Sequence, residues 1–434
     1  MIAELPRPLA RAVSAQTGIV ASLEECLPGP ADPRHFHAAC FVRGDENLLG
    51  SAFAHGGGPG GAGLSRREAA SAAVGEALER YSASFVPGSL VTGSARELGA
   101  EAVVPERFAL FSERQHGAPA FPFRRFTSTE PVRWVRGWSV GDGRPALLPA
   151  ELVFLGDATV PGERPIGYAT SSGLACAGSV REALVRGVCE LLERDAFMLV
   201  WANRLSLPRL DWSGDAHLAC LDRRLFAVTG LAYSVVDMSA IHRLPSFLGV
   251  VRAPRRVQGA LGVGAGTAPR LARAWWKALA EAFASRSAGA KLELLEATRL
   301  LGRGGEGVES FEDHIRYHAD HDRARAADFL DAAAGAVQPA QTPALEGPDD
   351  LAALARRVES AGASLYAVDV TAPDVRDLGL AVIKAVAPEL CALDVPHGAR
   401  FLGGRRLYDA PVQLGLRDRP LREHELNPDP HPFP

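Results

Sequence analysis

Three times along the chain a stretch of glycine and other small residues runs straight into a long helical pattern, and this recurrence leaves few architectures open. Residues 56–63 (GGGPGGAG) form a glycine-rich loop before a predicted helix at about 65–83. Residues 170–179 (TSSGLACAGS) feed a helix containing 181–201, and a glycine loop at 262–266 (GVGAG) precedes a third at about 269–300. The helical readings rest on apolar and small residues recurring at three- and four-residue spacing. Aromatic and β-branched runs near 133–139 and 149–155 read as strands, and the apolar runs 246–253 and 259–263 as a strand pair. A charged helix at about 310–334, another at 348–362, and strands at 364–370 and 380–387 complete the pattern. The low-complexity stretch 332–348 reads as a surface linker. This mixture predicts a mixed α/β (α+β) fold in which glycine-led acidic helices pack on β-sheets. A mixed N-terminal segment, 1–55, is expected to pack on the core of one large domain, 56–434.

With 434 residues, 47% hydrophobic, the chain has material for a large core. The net charge of −4 argues against a nucleic-acid-binding surface. Lysine occurs only at Lys277, Lys291 and Lys384, so no Walker loop with its lysine can be present. A bound nucleotide would have to be held another way. The six cysteines show no CxxC spacing and read as reduced, buried thiols of a cytoplasmic protein. There is no signal-peptide pattern and no apolar run long enough to span a bilayer.

Charge on the glycine-led helices carries the chemistry. Glu76, Glu79 and Arg80 lie on the first, and Glu190, Glu193, Arg194 and Asp195 on the second. Carboxylates at i and i+3 share one helical face, about 5–6 Å apart at Cβ, and repel each other unless a cation joins them. A lone ExxER motif is usually a solvated face with arginine as compensation. Here both copies sit among small or apolar residues, AAVGEALERY and VCELLERDAF, so part of each acidic face is expected to point inward. With Glu281 and Arg286 of the third helix they would supply five carboxylates and three arginines to a Mg–nucleotide site. Carboxylate oxygens suit Mg2+, and arginine forks suit phosphate.

The chain ends Asn427-Pro-Asp-Pro-His-Pro-Phe-Pro434, with proline at every second position. Proline fixes φ and removes an N–H donor, so this segment is a stiff polyproline-like extension of roughly 20 Å. It suits either an exposed ligand for a proline-binding module or a segment folded back, terminal carboxylate included, into the protein's own site. Other constellations are weaker. His314, His318 and His321 share a helical face, but their neighbours, FEDHIRYHADHDRARA, read as a solvated helix. Cys176 has small apolar neighbours and reads as packed rather than nucleophilic. In GVGAG the third glycine and an acidic residue about 20 positions on are not in register for a dinucleotide fingerprint.

Taken together, GLSRREAASAAVGEALERYSA (63–83), SSGLACAGSVREALVRGVCELLERDAF (171–197), GVGAGTAPRLARAWWKALAEAFASR (262–286), RFLGGRRLYDAPVQLG (400–415) and the final NPDPHPFP resemble the YcaO family. More narrowly, they resemble its stand-alone azoline-forming cyclodehydratases. The resemblance implies a YcaO-type fold around a Mg–nucleotide site, with ATP and Mg2+ as cofactors. It implies that Glu76, Glu79, Glu190 and Glu193 hold magnesium, and that Arg80, Arg194, Glu281 and Arg286 serve the nucleotide. Pro434, with its carboxylate, would lie in the active site. The implied substrate is a precursor peptide, delivered by a leader-binding partner related to ubiquitin-activating enzymes. A flavin-dependent azoline dehydrogenase would act afterwards, and a homodimer is compatible. Ala62, Ala72 and Ala284 depart from the family pattern and bear on secondary nucleotide contacts. The alternatives are a YcaO thioamide synthetase with a different partner and a non-catalytic scaffold of a peptide-modifying complex.

Overall fold

The computed structural model describes residues 1–29, 31–42, 59–295, 301–302, 304–345 and 350–434. The chain divides into two compact units. The first comprises Met1–Leu27, His35–Leu191 and Leu351–Leu390, and the second Pro28–Arg34, Leu192–Asp350 and Cys391–Pro434. The expected boundary between residues 55 and 56 lies outside the described residues, as do the first three glycines of 56–63.

The first unit holds two sheets. β1 (Val20–Cys26), β2 (Phe36–Val42) and β3 (Gly60–Gly63) form an antiparallel three-stranded sheet. The other sheet runs in the order β4 (Val91–Ser94), β5 (Pro131–Ser139), β13 (Tyr366–Asp369), β14 (Ala381–Val386), β7 (Leu174–Ala177), with β6 (Pro145–Pro149) also paired to β5. The first glycine-led helix, Arg66–Ser84, begins at Ser65, whose side chain accepts the Glu68 N–H, as an N-cap should. It touches both sheets, packing on β2 and β3 and also on β7 and β14. Its buried face is mostly alanine, from Ala69 and Ala70 through Ala73 to Ala77. Small residues on the helix meet glycines on the strand: a Cβ at Gly61 would fall 2.3 Å from the Ala73 nitrogen.

The second unit repeats this design. Its sheet runs β11 (Leu261–Thr267), β10 (Ser246–Arg252), β9 (Ala232–Asp237), β8 (Arg209–Leu210), β12 (Ala336–Val337), antiparallel except for β12 beside β8. The third glycine-led helix, Leu271–Leu295, lies across β10 and β11. GVGAG is therefore a strand and not a loop. Gly262, Gly264 and Gly266 all face the helix, and a Cβ at Gly266 would stand 2.0 Å from the Ala274 carbonyl oxygen. Glycine is required here because the helix backbone occupies the space a side chain would need.

Other expectations shift. The run 149–155 is strand only to Pro149 and then turns as a 3₁₀ helix, Ala150–Leu152. The charged helix ends early, at Phe311–Ala319, and a 3₁₀ segment, Arg323–Asp331, follows. Asp320 accounts for the break: its carboxylate accepts the N–H groups of Asp322 and Arg323, a local bond that competes with helix continuation. The supposed linker contributes β12, while residues 346–349 lie outside the described residues. Cys26 and Cys220 are exposed rather than buried. Among the described residues no helix is long and apolar enough to cross a membrane.

Candidate active site

In the first unit, Glu76 and Glu79 lie one turn apart on the helix Arg66–Ser84, and Glu190 lies on the helix Val180–Ala202. Glu76 accepts from Arg80 at 2.6 Å and from the Gly60 N–H at 2.9 Å, so the first residue of β3 is tied to the acidic face. Glu79 accepts the Cys176 N–H at 2.8 Å. Its carboxyl is pushed up to about 8, first by burial and then by the nearby Glu190 and Glu76 carboxylates, against the opposing Cys176 hydrogen bond. Two neighbouring carboxylates thus oppose the ionisation of Glu79, a cost that a cation beside it would relieve.

A neighbouring cation escaped the sequence reading. Lys384 on β14 is buried and donates to the carbonyls of Thr170 at 2.6 Å and Ser172 at 2.7 Å, pinning the turn that leads into β7. Burial lowers its ammonium to about 8, opposed by the Glu190 carboxylate. Cys176 is buried and its thiol is pushed up to about 12, chiefly by burial and then by Glu79. It stays protonated and is no nucleophile, as its neighbours in sequence suggested.

In the second unit, Glu193 is completely buried and fully engaged. It accepts the Thr267 N–H at 2.6 Å and faces the Lys277 ammonium at 3.1 Å, with Arg194 at 3.8 Å. Lys277 also reaches Glu281 at 3.5 Å, bridging the two acids. Arg286 is buried and spends its guanidinium on the carbonyls of Gln258 and Gly259, in the connection between β10 and β11. Asp195, next in sequence, is a structural anchor. It receives both arms of Arg406 at 2.7 Å, His242 at 2.8 Å and the Cys391 N–H at 2.8 Å. Burial alone would raise its carboxyl, but Arg406 and His242 hold it well below the usual range. A carboxylate so enclosed is costly to leave without its partners.

The C-terminal segment folds into this second unit instead of projecting from it. Phe433 is buried, its ring 4.8 Å from that of Phe197 and 4.1 Å from the Arg194 guanidinium carbon; Pro434 itself is half-buried. The histidine reading is corrected here. His314 and His318 are buried, not solvated, because their rings bond to backbone carbonyls of the C-terminal segment. His321 instead meets the Val257 carbonyl. The i, i+4 spacing of the first two was the available signal.

Burial lowers the His318 ring to about 3, helped by His431, Arg252 and Arg323 and opposed by the Pro430 carbonyl. An unfolded histidine titrates near about 6.5, so on acidification the unfolded chain takes up this proton first. The stability conferred by the neutral ring is complete above that pH and is lost as pH falls towards 3. Urea unfolding between pH 6.5 and 4 should therefore show wild-type stability falling more steeply than that of His318→Phe, by up to about 1.4 kcal/mol per pH unit. Equal slopes would contradict a neutral, buried His318.

Oxygen ligands on helices, without soft donors, suit magnesium, which commonly takes one or two carboxylates together with phosphates and water. As the side chains stand, no group of three or more His, Cys, Asp or Glu among the described residues is arranged to hold a metal ion alone. Comparison with known proteins decides the family. The profile of the YcaO cyclodehydratases, described as ATP- and Mg2+-binding, matches residues 60–391.

The chain belongs to the YcaO family.

Its relatives include an uncharacterised protein in the tfuA 3′ region of Rhizobium leguminosarum bv. trifolii, 30% identical over 239 residues, covering 52% of this chain and 54% of that one. A solved heterocyclase in complex with substrate and cofactor superposes with a TM-score of 0.78 at 25% identity, covering 99% of this chain and 57% of the other. The heterocyclase TruD gives a TM-score of 0.66 at 27% identity, covering 83% and 50%. This YcaO chain thus spans about half the length of these relatives. Its mixed α/β architecture is that of the YcaO heterocyclases.

Proposed function

We propose that this YcaO protein is an ATP-dependent cyclodehydratase that converts Cys, Ser or Thr of a ribosomally made precursor peptide to thiazoline or (methyl)oxazoline. The observation that carries the reading is the end of the chain. The C-terminal segment closes beneath the guanidinium of Arg194, the residue next to Glu193, which supports reading the terminus with the acidic motif and not with solvent. In the reaction, the peptide thiol or hydroxyl adds to the preceding carbonyl carbon and loses its proton. The resulting oxyanion takes the γ-phosphoryl of ATP, releasing ADP. The amide nitrogen then expels phosphate and loses its own proton, leaving the C=N bond of the azoline. One water's worth of atoms leaves the peptide, its oxygen in the phosphate.

Glu76, Glu79, Glu190 and Glu193 are assigned to magnesium, which when bound neutralises charge on the transferring phosphoryl group. Arg80 and Arg194 are assigned to the nucleotide's phosphates, since guanidinium forks match phosphate oxygens. Glu281 would act with Lys277, and Arg286 through the β10–β11 connection it holds. The Pro434 carboxylate is assigned a place among the reacting groups, where a carboxylate can accept the proton of the attacking side chain. A leader-binding partner related to ubiquitin-activating enzymes would present the peptide, and a flavin-dependent dehydrogenase would oxidise the ring.

The test is incubation of the protein with a Cys/Ser/Thr-containing precursor, the partner, ATP and Mg2+. The expected result is loss of about 18 Da per ring, one water, matched by ADP and phosphate release. Mass gain from oxygen-to-sulfur exchange would transfer the protein to the thioamide-forming type, and absence of nucleotide binding would leave a scaffold.

A further inference from the structure

The final segment presents an unusual problem for a buried peptide. With proline at every second position it has few N–H groups, yet each residue keeps its carbonyl, and a buried carbonyl without a donor costs about 1–3 kcal/mol. The second unit solves this with side chains. The Asn427 carbonyl accepts from Arg400 at 2.7 Å, that of Pro428 pairs with His397, that of Asp429 accepts from the Trp201 indole N–H at 3.1 Å, that of Pro430 pairs with His318 at 2.7 Å, and that of His431 with His314 at 2.7 Å. Five consecutive carbonyls thus each meet a nitrogen of a different side chain. None of these partners is a backbone N–H of a helix or strand. The donors come from four places: the helix Val180–Ala202, the helix Phe311–Ala319, the 3₁₀ turn His397–Ala399 and Arg400 beyond it.

We infer that Trp201, His314, His318, His397 and Arg400 are a rack of positioning residues, a binding site for a proline-alternating backbone whose occupant is the chain's own terminus. The rack recognises main chain, with His314 also stacking on the His431 ring at 3.9 Å between centroids, and it fixes the register of the segment. A shift by one residue would set each donor against a different carbonyl and move a proline ring to where a non-proline side chain stood. Anchored at Asn427, whose N–H also binds the Ala202 carbonyl at 2.8 Å, the segment can reach only one end point. The ring of His431 sustains that end point, accepting the Phe433 N–H at 3.2 Å while its other nitrogen meets the Asp394 carbonyl at 2.7 Å. The register therefore determines where Phe433 and Pro434 lie. This deepens the proposed function, because it rests on the terminus belonging to the active site.

His318 gives the cleanest test, since His314 has carbonyls at both ring nitrogens, His431 and Val395, each at 2.7 Å. In the full-length protein, His318→Phe keeps a flat ring beside Trp201 and removes the donor, whereas His318→Gln retains an N–H. Hydrogen exchange of the Asp429 and Phe433 amides, read by mass spectrometry, should quicken about 5-fold or more in His318→Phe, the worth of one hydrogen bond, and recover at least partly in His318→Gln. His397→Ala, at a half-buried position, provides the same reading should His318→Phe not fold. Ring formation is measured alongside. Faster exchange with a fall in kcat at unchanged peptide KM supports both the rack and the terminus in catalysis. Faster exchange with unaltered ring formation supports the rack and removes the terminus from the reaction. Unchanged exchange in both His318→Phe and His397→Ala overturns the rack.

Discussion

Replacing Glu190 by Gln is expected to lower Mg2+-dependent ATP turnover by about 10²-fold or more, the scale seen when a preorganised electrostatic contact at a reacting centre is lost. The fold should survive. Glu190 is half-buried, and its neighbour Glu79 is already raised to about 8 by burial and then by Glu190 and Glu76, so removing one negative charge relieves repulsion within the first unit. The opposing effect is on Lys384, whose buried ammonium is lowered to about 8 by burial and supported by Glu190. Lys384 keeps its two carbonyl acceptors, so stability should change by about 1 kcal/mol or less, one ordinary hydrogen-bond equivalent. Glu193→Gln is a poorer probe: that carboxylate is completely buried against Lys277, and its loss would disturb folding as well as function. Phosphate release with peptide and partner present, measured across a magnesium titration and beside thermal unfolding, makes the comparison. Wild-type turnover in Glu190→Gln would remove this residue from the metal site.

The first two acid-bearing helices were legible almost to the residue, because small and apolar residues at helical spacing around the ExxER motif are a local signal. What the glycines do was not. GVGAG has the composition of a loop, and only the passage of the helix Leu271–Leu295 over β11 shows that the missing side chains make room for a backbone. The buried histidines escaped for a related reason. FEDHIRYHADHDRARA is charged throughout, so its local pattern points to solvent, yet His314 and His318 bind carbonyls more than one hundred residues away in sequence. Asp195 and Lys277 are similar, ordinary charges in a helical pattern until Arg406, His242 and Glu193 are brought to them by tertiary contacts. Helical periodicity records which face is apolar; it does not record which polar side chain will find a partner.

Appending even a short peptide after Pro434 is expected to abolish most ring formation, whereas an exposed module-binding segment would tolerate it. The effect should exceed that of any single rack variant, since a tag converts the terminal carboxylate to an amide and forces new chain into a packed region. Phe433 is 1% exposed and the half-buried Pro434 follows it directly, so an extension has little room. Deleting Pro432–Pro434 should be equally damaging to ring formation, but it is a less selective experiment. It strips the ring that packs on Phe197 and under Arg194, a burial worth about 1.5–3 kcal/mol, and thermal stability should fall with it. Removing Pro434 alone moves the carboxylate back by one residue while leaving Phe433 in place, and so separates chemistry from packing. The readout is loss of about 18 Da per ring in the precursor peptide, with ATP binding as control. Ring formation lost with nucleotide binding and stability retained would place the terminal carboxylate among the reacting groups. Full activity in both the tagged and the Pro434-deleted protein would assign the C-terminal segment to structure alone, and would withdraw the strongest reason for preferring a cyclodehydratase to another YcaO activity.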